Sequence, residues 1–290
     1  MAIKFDGTNY LKSSSPPITS GGNFTWCAWV KRDATTPANA ILSMGDESTT
    51  DNYRYLYDNG AGSVGTGGND GGVGGFARAL QTVSGTDTWQ HWAGTENSTG
   101  SSKYAYVDGS AGTLDNEQFS PTSLDNFLIG ALERTTVNNQ TTYAIAEVAF
   151  WSHATDDVLT PAEIAMLAAG VSPLLVRPQD LVRYYPLTNA SDLRDIVGGA
   201  TMTEIGAGAL TDSAHPRIIQ PTGQLVLPPV FHGIYGTPTF DIDVADLSDV
   251  TRLGLGGFSR GYFEFGPVTP SGFEPQWYRN RSAIIGAGMK

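Results

Sequence analysis

Phe24-Thr25-Trp26-Cys27-Ala28-Trp29-Val30 is the stretch on which the fold turns. Side chains alternate across a β-strand, so Phe24, Trp26, Ala28 and Val30 share one face, and Thr25, Cys27, Trp29 and Lys31 share the other. Both faces carry bulk, which places the strand in the middle of a sheet covered on both sides. Phrases of the same kind surround it: Phe5-Asp6-Gly7, Trp89-Gln90-His91-Trp92-Ala93-Gly94, Tyr106-Val107-Asp108-Gly109 and Ile145-Ala146-Glu147-Val148-Ala149-Phe150-Trp151. Asn97-Ser98-Thr99-Gly100 predicts a hairpin turn between two of them. Shorter strand patterns lie at 41–44, 51–58, 76–83 and 127–130. Residues 60–75 are so rich in glycine that they read either as a loop or as a hairpin of weak register. One helix is expected near 160–169. Thr160 is its N-cap, Pro161 takes the first helical position, Glu163 completes a capping box and Gly170 stops it. The pattern as a whole is all-β, an antiparallel β-sandwich with one short helix.

The bulk composition narrows the function. The chain has 290 residues, with 35 glycines and 16 prolines but only 16% charged residues, which favours many turns over long helices. Its formal charge of -12 repels phosphate backbones and anionic bilayers, so neither nucleic acid nor a membrane is expected as a partner. Cys27 is the single cysteine, which excludes an intrachain disulfide and a cysteine-rich zinc site. The start, Met1-Ala2-Ile3-Lys4-Phe5-Asp6-Gly7, lacks the apolar core of a secretory signal, so synthesis in a cytoplasm without a signal peptide is expected.

As a set, these phrases resemble LamG-like domains, the concanavalin A-like lectin/glucanase jelly rolls. The match lies in Trp89-Gln90-His91-Trp92-Ala93-Gly94, Tyr104-Ala105-Tyr106-Val107-Asp108-Gly109, and the closing Ile145–Trp151 followed by Leu159-Thr160-Pro161-Ala162-Glu163-Ile164. It covers about residues 1–170. Leu181-Val182-Arg183-Tyr184-Tyr185-Pro186-Leu187 and the later Asp195-Ile196-Val197-Gly198 are similar to phrases that open many such domains, yet here they follow the helix. They either complete the same sandwich or begin a truncated second repeat. Residues 181–210 are too short to bury a core of their own, which favours completion. The expected organisation is therefore a jelly roll over 1–212 and a C-terminal extended or β region over 213–290.

The order of these parts, with Ala214-His215-Pro216-Arg217-Ile218 as a linker, also resembles virion proteins of tailed bacteriophages. That resemblance implies a non-enzymatic structural protein of the virion, bound to phage capsid or tail proteins, forming a homo-oligomer on the particle and decorating or stabilising it. A carbohydrate-binding adhesin for host-surface glycans is the alternative, and a glucanase-like hydrolase a remote one. Glucanases on this fold need paired carboxylates from an E-x-D-x-E strand. No such triplet occurs: Glu147 is a lone acid in its strand, and Asp156 and Asp157 precede the helix.

Tyr53, Tyr55 and Tyr57 share one face of a strand, with Arg54 and Leu56 on the other. They are the candidate ligand-binding residues, a stripe about 13 Å long whose rings could stack on sugars. No cofactor is expected. Calcium is the one metal the pattern leaves open, and it would need six or more converging oxygens. Asp241, Asp243, Asp246 and Asp249 form the densest acidic cluster, and Asp46, Asp51 and Asp70 are other carboxylates at turns. His91, His153, His215 and His232 have no ligand spacing, and Gly65-Thr66-Gly67-Gly68 lacks the lysine of a phosphate loop. In the C-terminal region Phe258, Tyr262, Phe263, Phe265, Phe273, Trp277 and Tyr278 are the candidate partner-anchoring residues, docking by strand addition and aromatic contacts, unless the region forms a small β fold of its own.

Overall fold

The computed structural model describes residues 2–33, 39–71, 77–83, 85–97, 102–117, 120–154 and 157–219. These belong to one compact unit that ends at Ile219. The strands in chain order are β1 (Ala2–Lys4), β2 (Asn9–Ser13), β3 (Asn23–Lys31), β4 (Asn39–Gly45), β5 (Asn52–Asp58), β6 (Ser63–Asp70), β7 (Ala77–Thr82), β8 (Trp89–Asn97), β9 (Ser102–Val107) and β10 (Ser110–Ala111). They continue with β11 (Asn126–Ile129), β12 (Leu132–Glu133), β13 (Val137–Asn138), β14 (Ala144–His153), β15 (Leu181–Tyr185), β16 (Thr203–Gly206) and β17 (Thr211–Ser213), and the helix α1 spans Pro161–Ala168.

Two antiparallel sheets face each other. The first runs β10-β9-β8-β3-β14-β1-β17, with β15 also paired to β14. The second runs β16-β2-β11-β4-β5-β6-β7. As its two-sided bulk requires, β3 lies inside the first sheet, between β8 and β14. The inner faces close on Phe24, Trp26, Val30, Leu56, Trp92, Phe127, Ile145 and Phe150. Phe24 stacks on Phe150 and meets Trp26 edge-on, both with centroids 5.2 Å apart. The sheets approach closely at Gly94, where a Cβ would collide with Thr66 and the Trp26 indole. The Trp26 indole N–H donates across this gap to Thr66 Oγ1 at 3.0 Å.

Charges also cross the interior. The buried Arg54 of β5 pairs with the buried Glu96 of β8, and the Arg54 guanidinium lies 4.9 Å from the Phe24 ring centroid. Burial pushes the Glu96 carboxyl up, against the pull of Arg54. Arg32 donates to Asp58 Oδ2 at 3.1 Å, and the Tyr143 hydroxyl donates to the same oxygen at 2.9 Å. Removing one partner of such a pair costs roughly 3–5 kcal/mol, because a charge is then left buried alone.

The helix forms as its local signals direct. Thr160 Oγ1 accepts from the Glu163 amide, and the Glu163 carboxylate accepts from the Thr160 amide at 2.8 Å. Ile164 and Leu167 seat it on the outer face of the first sheet, over Ala93, Ala149 and Trp151. The glycine-rich stretch holds a regular strand, β6, paired with β5 from Val64 to Asp70 and with β7 from Ser63 to Gly68. After the helix, β15 pairs with β14 in the first sheet, β16 with β2 in the second and β17 with β1 in the first. Between β15 and β16 the chain turns around Asp195, whose Oδ1 accepts from the amides of Tyr184, Val197 and Gly198 at 2.9–3.0 Å. No helix among the described residues is long and apolar enough to cross a membrane.

Candidate functional site: the tyrosine face and its rim cleft

The alternation in β5 places Tyr53, Tyr55 and Tyr57 on the outer face of the second sheet, with Arg54 and Leu56 inside. The rings lie along the sheet. Tyr53 and Tyr55 meet edge to face at 5.6 Å, and Tyr55 and Tyr57 stack at 4.0 Å. Tyr57 faces Gly65 across the ladder, where a Cβ would collide with the edge of its ring, so a glycine there leaves room for the ring. The three tyrosines are 9%, 8% and 2% exposed. Ala40 and Leu132 share their cluster. Arg78 is 3.5 Å from the Tyr57 hydroxyl, and the Arg134 guanidinium lies 4.8 Å from the Tyr53 ring centroid. Burial pushes the hydroxyls of Tyr55 and Tyr57 up. The stripe is therefore a packed aromatic layer with little of any ring exposed.

At the Tyr53 end of the layer lies a polar cleft of about 540 Å³. It is lined by the β4–β5 turn (Asp46, Thr50, Asp51, Asn52), the end of β6 (Asp70), Thr122 and Thr135. Three of these carboxylates, Asp46, Asp51 and Asp70, are the turn acids singled out in the sequence. Local bonds fix much of the lining. Asp46 Oδ1 accepts from the Ser48 amide at 2.8 Å and from the Ser48 hydroxyl at 2.5 Å, which holds the carboxyl below its usual range. Asn52 accepts from the Thr122 amide at 3.1 Å and donates back to the Thr122 carbonyl, stapling the two loops together. Asp70 accepts from the Ser120 amide at 2.8 Å. Arg134 joins cleft to layer by donating to the Thr50 carbonyl at 2.6 Å. Among the described residues no group of three His, Cys, Asp or Glu side chains is gathered as a metal site. Sequence reasoning missed Asn52, Thr122 and Arg134, because nothing local to them marks a contact 70 or 84 residues away.

Glu147, the lone acid of its strand, is sealed. It is 1% exposed and sits in a bulge of β14 with φ of 54°. That conformation is uncommon for a residue with a side chain. Its carboxylate accepts from the Tyr184 hydroxyl and lies 3.1 Å from His215 Nε2. Asp156 lies outside the described residues, as do Asp241, Asp243, Asp246 and Asp249 and the aromatic set Phe258, Tyr262, Phe263, Phe265, Phe273, Trp277 and Tyr278.

Two facing antiparallel sheets with a covering helix and a rim cleft define the class, a lectin-type jelly-roll sandwich. The chain belongs to the concanavalin A-like lectin/glucanases superfamily, whose laminin G-type family model matches residues 5–165. It is similar in structure to a heptameric SAP-like pentraxin from Limulus polyphemus, at 14% identity over 73% of this chain and 94% of that one, with a TM-score of 0.49. A putative carbohydrate binding protein from Bacteroides ovatus is 21% identical over 73% of this chain and 61% of that one, with a TM-score of 0.48. Domain 4 of AbnA, an arabinanase from Geobacillus stearothermophilus in complex with arabinotriose, is 16% identical over 58% and 76%, with a TM-score of 0.46. Comparison with curated proteins returns no match.

Proposed function

We propose that this protein is a non-catalytic, glycan-binding jelly roll whose ligand seat is the rim cleft. The observation that carries the reading is the cleft's lining. Asp46, Asp51, Asn52, Asp70 and Thr122 offer acceptors and donors suited to sugar hydroxyls, and Tyr53, which follows Asn52 in β5, stands next to them. Tyr55 packs edge to face against Tyr53, and Tyr57 stacks on Tyr55. The non-catalytic part draws on Glu147, which its tyrosine and histidine partners keep from any substrate. A glycan array of the purified full chain, with and without calcium, tests the reading. Binding that is lost in Tyr53→Ala and Asp51→Ala supports it, and an array empty under both conditions sinks it. Binding only with calcium would show that a bridging cation takes part in holding the glycan. Oligosaccharide turnover abolished by Glu147→Gln would revive the hydrolase.

The finer reading is that the sandwich is displayed on a bacteriophage particle, with residues 213–290 as its attachment to capsid or tail proteins. Its support is the composition of that region, rich in aromatic side chains and broken by glycine and proline. Particles assembled with a chain lacking residues 217–290 should be free of the protein. Undiminished incorporation would end this reading and leave glycan binding untouched.

A further inference from the structure

The segment that leaves the sandwich, Ala214–Ile219, runs against the outer face of the first sheet as a strap. The Trp89 indole N–H donates to the Ala214 carbonyl at 3.1 Å. Pro216 is buried. Ile219 forms a bridge with Val171: its amide donates to the Gly170 carbonyl at 2.6 Å, and its carbonyl accepts from the Ser172 amide at 3.3 Å. Between these ends the side chain of His215 points into the sandwich.

Both ring nitrogens of His215 face only acceptors. Nδ1 is 2.8 Å from the Pro216 carbonyl. Nε2 is 3.1 Å from a Glu147 carboxylate oxygen and 3.4 Å from the Pro186 carbonyl. A neutral imidazole has one N–H and one lone pair, so it can satisfy one side and must set a lone pair against oxygen on the other. Only the imidazolium donates from both. We propose that His215 and Glu147 form a proton-operated latch, which holds the strap while the imidazole carries both protons and releases it when one is lost.

The surroundings fit this role. Glu147 is contributed by the bulge of β14, and its other oxygen is taken by the Tyr184 hydroxyl of β15. Behind it lies the Cys27 thiol of β3, which burial, and then the Glu147 charge, push up and keep uncharged. His91 of β8, on the same face of the sheet, is pushed down to about 3 by burial and is neutral. Among the described residues His215 is the one cation within ion-pair distance of Glu147. Partial burial alone would lower His215, but the Glu147 carboxylate and the Pro216 and Pro186 carbonyls outweigh it, so its pKa lies above the ordinary histidine value. The latch is closed in acid and opens as the pH rises through that raised value. It rests on neither the glycan nor the virion reading, because every contact is within the sandwich.

Amide hydrogen exchange on the full chain between pH 5.5 and 8.5, corrected for intrinsic rates, tests the latch. Protection of the Ile219 and Ser172 amides should fall about tenfold for each unit by which folding raises the His215 pKa, while the Trp26 indole N–H in the core stays protected. His215→Gln, which cannot titrate, should give one level of protection at every pH, and the histidine ring signals of the parent should titrate together with the loss. A change under about threefold in the parent, or a pH dependence that survives in His215→Gln, overturns the proposal. Glu147→Gln is a second probe where it folds, and there the His215 pKa should drop.

Discussion

The two outer faces of the sandwich are covered in different ways. On the first sheet the chain supplies a whole element: α1 and the segment between it and β15 cover Cys27, Ala93, Ala149, Trp151 and Leu181 in a second apolar cluster. On the second sheet no helix among the described residues lies over the tyrosines; their rings pack on one another, with Leu132 of β12 in the same cluster and the Arg134 guanidinium over Tyr53. A face closed by distant chain becomes interior and answers to stability. A face covered by stacked rings and one short hairpin leaves the end of β5 open, and there, beside Asp51 and Asn52, the polar cleft lies.

This difference should appear first in large truncations. Trp151 is fully buried under the helix, and its indole N–H donates to the Val176 carbonyl at 2.8 Å. Trp151→Ala is expected to lose about 3–5 kcal/mol in chemical denaturation. Tyr55→Leu should lose only about 1 kcal/mol, mostly its ring pairing. Equal losses would mean that both faces are true interior, and the comparison would fail.

The next effect depends on pH. His91 on the first sheet is 1% exposed and held near 3 by burial, whereas unfolded histidine titrates near 6.5. Between those values the unfolded chain binds a proton that the folded chain refuses, so His91 lowers stability progressively as the pH falls from 6.5 towards 3. The loss should reach roughly 3–5 kcal/mol. Stabilised carboxylates such as Asp33 and Glu163 lose stability in acid too, so the difference curve against His91→Leu isolates the histidine. A flat difference curve would show that water reaches the ring. His215, on the same face, acts in the opposite sense: its raised pKa adds stability that is fully present below about 6.5 and fades as the pH rises through the folded value.

On the second sheet Gly65→Ala tests whether the tyrosine layer needs its glycine floor. The added methyl would collide with the Tyr57 ring edge and hydroxyl, and a loss of about 1–3 kcal/mol is expected. Tyrosine near-ultraviolet dichroism should change with it. A neutral substitution would mean that the rings do not depend on β6.

What the sequence made legible was local or periodic. Thr160 and Glu163 are three residues apart, and their capping box formed as read. The alternation of Tyr53, Tyr55 and Tyr57 against Arg54 and Leu56 assigned faces correctly, because a strand has only two. What stayed hidden depended on the third dimension. Low side-chain content made β6 ambiguous, and the rings that stabilise it belong to the neighbouring strand. Glu147 looked like an idle acid because Tyr184 is 37 residues away and His215 further still. Arg54 and Glu96 gave no sign of pairing, since each sits where alternation calls for an apolar residue.

The smallest expected effect on stability is also the sharpest test of the rim. Asp51 is exposed in the β4–β5 turn and lines the cleft. No described element depends on its carboxylate, so Asp51→Ala should change unfolding free energy by no more than about 0.5 kcal/mol. Asp46 and Asp70 differ, because each anchors loop amides. If the cleft seats a glycan, Asp51→Ala should weaken binding about tenfold, the value of one hydrogen bond to a charged group, in a protein of unchanged melting temperature. Unchanged affinity would move the ligand away from the turn. A large fall in stability would show that the rim, like the helix-covered face, is part of the scaffold.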